Sequence, residues 1–303
     1  MHKIKRFFYW LANDPRALMI FIWMRYGKCI PDKLYLQVLF RLRLGYWMDM
    51  RNPKSFAEKL QWLKLHDRQE RFHQMVDKYE AKKLIMDAFG AEYVIPTLAV
   101  WDSVDDIDIN ILPNQFILKP TFDSGSYFIC KDKHSIDQEL MRKKLTIHWN
   151  DGYYLPEREW PYKGLPRRII AEPLIADPKL LIDYKFFCFE GEPRIFQTCE
   201  DRNPELGGAI LKFYDVEGNV LNIEDKYHTR ECLAGIHIPK HLDIMLSIAR
   251  HFAKGTHFLR MDFYEVNGKV YVGEFTLYEN AGFCAFEPDK WDKQFGDWIK
   301  LPI

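Results

Sequence analysis

Residues 260–282 read RMDFYEVNGKVYVGEFTLYENAG. Val266, Val270, Tyr271 and Val272 are strand formers, and Asn267-Gly268 between them is a turn pair. The stretch therefore predicts a hairpin with Asp262 on one arm and Glu274 on the other. Two carboxylates on adjacent strands can share a hard cation such as Mg²⁺.

Strand parity decides whether they do. A two-residue Asn267-Gly268 turn pairs Val266 with Lys269, sets Asp262 opposite Gly273 and turns Glu274 to the far face. An odd-numbered loop or a bulge instead puts Arg260, Asp262, Glu274 and Thr276 on one face. The metal reading requires one of those two devices. The alternative is an ordinary antiparallel hairpin with solvent-facing acids, and on this segment alone both readings stay open.

A chain of 303 residues suggests about two domains with ample core. Its 43 basic and 43 acidic residues cancel, so no global field recruits nucleic acid. The six cysteines include no CxxC pair, which fits reduced, mostly buried thiols of a cytoplasmic protein better than a disulfide framework or zinc site. The longest early apolar run, Ala17 to Met24, is too short to span a bilayer and has no cleavage site after it. Lys3, Lys5 and Arg6 interleave with Phe7, Phe8, Tyr9 and Trp10, a pattern that suits peripheral contact with an anionic membrane face. A helix packed on the body is the favoured alternative for the same residues.

Up to about residue 50 the chain reads as short helices. Ser55 and Glu58 form a capping box for a helix through Phe56, Leu60, Leu63 and Leu65, and a second helical pattern runs from about Gln69 to Phe89. From Tyr93 the texture changes to short apolar runs bounded by Pro and Asp: 93–95, 98–101 and 116–118, all expected as strands. A capped helix is expected over 135–147, with Ser135 and Gln138 as its box, followed by an irregular aromatic loop over 150–168. Strands at 169–170 and 185–189, a strand resuming at 194–197, a helix over 240–254 and a packed tail with Trp291 and Trp298 complete the α/β pattern.

Lys119 ends the strand Phe116 to Leu118 and is followed by Pro120-Thr121-Phe122-Asp123-Ser124-Gly125-Ser126. Small polar residues let a backbone close over phosphate oxygens, and a lysine at the strand end can offset their charge. No Walker motif and no GxGxxG is present, so neither a P-loop NTPase nor a dinucleotide fold is indicated. Asp106-Ile107-Asp108 resembles the metal-binding acid pair of nucleotide-sugar glycosyltransferases, the alternative class of function for this chain.

In order come Asp77-Lys78-Tyr79, FILKPTFDSGSYF at 116–128, IIAEPLI at 169–175, DYKFFCF at 183–189, and RMDFY with GEFT between 260 and 276. This order resembles the ATP-grasp superfamily. FAEKLQWLKLHDR, DYKFFCF and GEFT resemble the TupA-like ATP-grasp proteins of teichuronopeptide and surface-polysaccharide biosynthesis, from about residue 50 to the end. The resemblance implies an ATP-grasp fold, two α+β lobes clasping ATP after an N-terminal helical segment. The lobes would divide as 1–75 helical region, 76–168 N-lobe with the phosphate loop, and 169–303 C-lobe with hinge and metal site.

It also implies roles. Lys78 and Lys119 would contact ATP phosphates, and Asp123, Ser124, Gly125 and Ser126 would close over them. Glu172, Pro173 and Leu174 would hold adenine, Asp183 the ribose, and Lys185 a further phosphate or the substrate. Asp262 and Glu274 would bind Mg²⁺. Thr276 stands where the superfamily carries Asn, so Asn280 or Glu279 is expected to complete the metal shell. Arg260, Arg167 or Arg168 would orient a carboxylate. The implied reaction is ATP-dependent coupling of an amine or amino acid to a uronic acid of a capsule, O-antigen or cell-wall polymer, with ADP and phosphate released.

Overall fold

The computed structural model describes residues 14–178, 180–203, 208–226 and 235–303. Lys3 to Trp10, read above as a candidate membrane contact, lie outside them.

The N-terminal region is helical. Helices α1 (Pro15–Tyr26) and α2 (Asp32–Leu44) precede α3 (Phe56–His66), whose capping box is present: Ser55 accepts from the Glu58 amide and Glu58 accepts from the Ser55 amide. The single helix expected over 69–89 is two, α4 (Arg71–Val76) and α5 (Lys78–Phe89). Asp77 separates them in extended conformation, and its carboxylate accepts from the Tyr79 and Glu80 amides at 2.9 and 3.1 Å. A good N-cap thus overrides a continuous apolar stripe.

A four-stranded antiparallel sheet has the order β1 (Ala99–Trp101), β4 (Ile169–Pro173), β2 (Phe116–Pro120), β3 (Phe128–Cys130). The strand at which the C-terminal lobe was expected to begin is thus hydrogen-bonded into this sheet. The run 93–95 is not a regular strand; only Val94 bridges, to Val272. The helix expected from Ser135 is α6 (Gln138–Leu145), capped by Asp137, whose carboxylate accepts from Leu140 at 2.9 Å. The loop that follows holds a short turn of helix, α7 (Tyr154–Glu157), and a 3₁₀ turn (Trp160–Tyr162).

A larger antiparallel sheet has the order β11 (Lys269–Thr276), β10 (Phe258–Val266), β5 (Asp183–Phe189), β6 (Glu192–Asn203), β7 (Gly208–Asp215), β8 (Val220–Leu221). A short pair joins β9 (Glu224–Asp225) to β12 (Phe286–Glu287). On one face α8 (Leu242–Ala253) buries Met245, Ile248 and Ala249 over β5, β6 and β10. On the other, Phe56 of α3 and Phe295 of α9 (Lys290–Trp298) meet Phe189, with ring centroids 5.8 and 5.6 Å away. Each fully buried Phe contributes roughly 1.5–3 kcal/mol by leaving water. The main core wraps this sheet and the N-terminal helices, and a smaller one centred on Phe116, Leu118, Ile169 and Leu145 backs the four-stranded sheet. Cys130, Cys188, Cys199 and Cys284 are buried as expected, and Cys29 is exposed.

Candidate functional site

The hairpin answers the parity question in both its parts. Asn267 (φ +52) and Gly268 (φ +74) make a two-residue turn, and Val266 pairs with Lys269 as that turn demands. A bulge then shifts the register between Asp262 and Phe263, so Gly273 is passed over and Asp262 stands opposite Glu274, Arg260 opposite Thr276. A Cβ on Gly273 would sit 2.8 Å from the Tyr264 ring and 3.3 Å from the Asp262 carbonyl oxygen, which is why the bulge holds glycine. Across the sheet Asp262 also pairs with Lys185, and Tyr264 with Asp183. One face of three strands therefore carries Asp183, Lys185, Arg260, Asp262, Glu274 and Thr276.

Charge on this face is dense and largely compensated. Arg260 grips Asp262 with two nitrogens at 2.6 and 2.8 Å and reaches Glu279 at 2.6 Å with a third. Lys185 donates to Asp183 at 2.8 Å and to Asp262. These cations hold the Asp262 carboxyl below the usual carboxylate range against the opposing pull of burial. Glu274 is half-buried and, among the described residues, meets only a long hydrogen bond from Ser124, at 3.4 Å. For a hard cation the fit is therefore uneven. Glu274 and Thr276 both line the cavity, whereas Asp262 would be open to a cation only if Arg260 or Lys185 gave way. Asn280, considered for the same shell, donates to Asp225 at 3.1 Å, and Glu279 is bound by Arg260. Among the described residues no three His, Cys, Asp or Glu side chains are gathered as a ready metal cluster.

The facing sheet supplies a second charged centre. Glu172 on β4 is buried between two ammonium groups, Lys82 at 2.5 Å and Lys119 at 2.6 Å. Burial alone would raise its pKa, but the two cations hold it down to about 2. Lys82 was not singled out from the sequence. The signal was its i, i+4 relation to Lys78 on one helix face. Lys78 itself faces the loop, donating to the carbonyls of Pro120 (3.1 Å) and Asp123, with the Asp123 carboxylate 3.8 Å away. It is thus Lys82 that joins Lys119 at Glu172, while Lys78 ties down the loop root. Arg168 is engaged by Asp77 and Glu80 at 3.0 and 2.9 Å, and exposed Arg167 donates to the Asn150 carbonyl at 3.4 Å.

The 121–126 loop is laced at its start and open at its tip. Thr121 donates its amide to the Arg168 carbonyl at 2.9 Å and its hydroxyl to Asp77 at 3.2 Å. Phe122 is buried edge-on to Trp149 at 5.5 Å. Burial pushes the Asp123 carboxyl up, against the opposing pull of Lys78 and Ser126. Beyond it Ser124 reaches Glu274 across the gap between the sheets. A cavity of about 530 Å³ opens at that point, lined by Ser124, Glu274, Thr276, Arg260, Glu159 and Tyr278 among others. Asp106 and Asp108 are exposed on short 3₁₀ turns, where Asp108 caps the Asn110 amide at 2.9 Å, and neither lines the cavity.

The profile of one family, TupA-like ATP-grasp, matches residues 58–300. The chain belongs to the TupA-like ATP-grasp family. Among solved structures it is similar to D-alanine–D-alanine ligase from Bacillus anthracis, at 15% identity and a TM-score of 0.40 over 67% of this chain and 57% of that one. The Helicobacter pylori D-alanine–D-alanine ligase gives 13% identity and 0.45 over 82% and 67%. ATP-grasp ligase PsnB, complexed with minimal precursor, Mg and ADP, gives 11% and 0.39 over 73% and 57%. The chain thus spans little more than half the length of the first of these. No curated protein matches. Within the TupA-like ATP-grasp chain, no described helix is long and apolar enough to cross a membrane.

Proposed function

We propose that this TupA-like protein is an ATP-dependent carboxylate–amine ligase working through an acylphosphate. The supporting observation is the loop that leaves Lys119 on one sheet and meets Glu274 on the other through Ser124 (3.4 Å), with charged groups on both sides of the gap.

In this reading Glu172 to Leu174 border adenine, Asp183 takes the ribose, and Lys82 and Lys119 meet the phosphates. Once phosphate is bound, the Glu172 ion pairs are free to redistribute toward it. Mg²⁺, held by Glu274 and Thr276 and by Asp262 when Arg260 or Lys185 releases it, would neutralise phosphate charge. Arg260 and Lys185, freed by that exchange, are the groups on hand to orient a carboxylate.

A carboxylate oxygen of the acceptor attacks the γ-phosphorus, and the bond to the β,γ-bridging oxygen breaks to release ADP. The amine nitrogen then adds to the acyl carbon, phosphate leaves with the C–O electron pair, and the nitrogen loses a proton. Residues 121–126 over the gap would keep water from the acylphosphate. The acceptor we propose is a uronic acid of a surface polysaccharide and the nucleophile an amino acid or other amine, following the family's link to teichuronopeptide biosynthesis.

The test is ADP release from pairs of uronic acids and amines, with mass spectrometry of the product. A species lighter by one water than the sum of the pair is expected. Failure of the protein to bind ATP·Mg²⁺ by calorimetry, with Lys119→Ala behaving identically, would end the ligase reading.

A further inference from the structure

The wall of the 530 Å³ cavity opposite the phosphate loop is made by residues 153–162, which are bent by an unusual backbone. Arg158 has φ +57 without being glycine, and it is held there by its own side chain. Its guanidinium lies 4.2 Å over the Tyr35 ring, donates to the Gly27 and Lys28 carbonyls at 3.0 and 3.2 Å, and pairs with Asp32 at 3.3 Å. Strain of this kind persists where the surroundings over-determine it. Its effect is that Glu157 and Glu159, on either side of Arg158, both line the cavity.

The two acids differ in what they meet. Glu157 is neutralised by Arg43. Glu159 is 6% exposed, and its carboxylate makes no hydrogen bond or ion pair with any described residue. The nearby Lys64 is fully buried and spent on main-chain carbonyls, Glu157 at 2.8 Å and Ala281. Arg260 is committed to Asp262 and Glu279. A second polar group also lacks a partner: the Tyr278 hydroxyl, on a side chain 3% exposed. Around them stand the rings of Tyr153 and Tyr162, while the Phe283 ring is already met by Arg43 at 4.4 Å and Lys64 at 4.9 Å. The cavity thus offers a carboxylate, a hydroxyl oxygen and aromatic faces, three features that a cation satisfies together.

We propose that this cavity binds the ammonium group of the amine substrate, with Glu159 as its counter-ion and Tyr278 as a second acceptor. The proposal rests on the ligase reading, since it places the incoming amine beside Ser124 and Glu274, where that reading has the acyl group activated. It narrows the substrate to a primary amine that carries an apolar or aromatic-compatible arm, arrives protonated, and gives one N–H proton to the Glu159 carboxylate before its freed lone pair adds to the acyl carbon. Burial without a bonded partner pushes Glu159 up to about 8, the condition of a carboxylate that gains most when a cation arrives.

The test uses the full chain with butylamine and its isostere butanol as probes, by saturation-transfer NMR. Saturable binding of butylamine is expected, with butanol at least about tenfold weaker. Glu159→Gln is expected to weaken butylamine at least about tenfold, and Tyr278→Phe, which keeps the ring, about fivefold. Both variants should bind ATP·Mg²⁺ as the parent does, which also reports that they fold. Equal binding of amine and alcohol, equal binding by Glu159→Gln and parent, or no amine binding overturns the proposal. Amine binding as expected in a protein that does not bind ATP·Mg²⁺ would instead remove the ligase reading and leave the ammonium site standing.

Discussion

Asp262 and Glu274 face each other across β10 and β11 because Gly273 is passed over in the register. The turn alone would have set them on opposite faces. Gly273→Ala places a methyl 3.3 Å from the Asp262 carbonyl oxygen and 2.8 Å from the Tyr264 ring, so the bulge must open or the ring must move. Affinity for ATP·Mg²⁺, read by calorimetry, is expected to fall at least about tenfold, with a loss of about 1–2 kcal/mol in stability from overpacking. Unchanged affinity would mean that the pairing of these acids is irrelevant to nucleotide binding.

Lys82 and Lys119 share one carboxylate, so their substitutions should not add. Lys82→Ala or Lys119→Ala removes one cation of a triad and leaves Glu172 with the other. Each is expected to raise the Kd for ATP·Mg²⁺ at least about tenfold, and the double variant by less than the product of the two. Strict additivity in the calorimetric cycle would separate the lysines functionally despite their common partner.

The same triad makes a pH prediction. Glu172 is held down to about 2 from an ordinary value of 4.5, so the folded state binds its proton less readily than the unfolded chain. The stabilisation is therefore complete above about pH 4.5 and is lost as pH falls toward 2, by about 3 kcal/mol for this group. Urea unfolding across pH 2–6 should show the parent's advantage over Glu172→Gln shrinking through that window. A constant gap between the two would contradict the assignment.

What the sequence made legible follows from how local each signal is. The capping box at Ser55 and the turn at Asn267-Gly268 are settled within four residues, and both stand as expected. The break at Asp77 was hidden because an apolar stripe runs through it. The capping preference of one carboxylate decided the matter, as Asp137 did over Ser135. Lys82 escaped notice because its partner Glu172 is ninety residues away, on a strand reached only through the sheet order β1-β4-β2-β3. Glu159 carried no periodic signal at all: its place in the cavity depends on a left-handed Arg158 that only Tyr35 and Asp32, more than a hundred residues upstream, hold in position.

The tip of the 121–126 loop offers the cleanest separation of closure from contact. Gly125 has φ +84 with nothing within 4 Å of the point where a methyl group would sit, so Gly125→Ala changes backbone preference and no packing. Left-handed backbone disfavours alanine by about 1 kcal/mol, which should lower the population of the observed loop about fivefold while leaving the melting temperature unmoved. Ser124→Ala, by contrast, keeps the backbone and removes the hydrogen bond to Glu274. If the loop shields the acylphosphate, both variants should release ADP in excess of amide, the excess being larger for Gly125→Ala because it loosens the whole cover. Measuring ADP against product by mass spectrometry reads this directly. An ADP-to-amide ratio that stays at the parent's value in both variants would show that water is kept out by some other part of the chain.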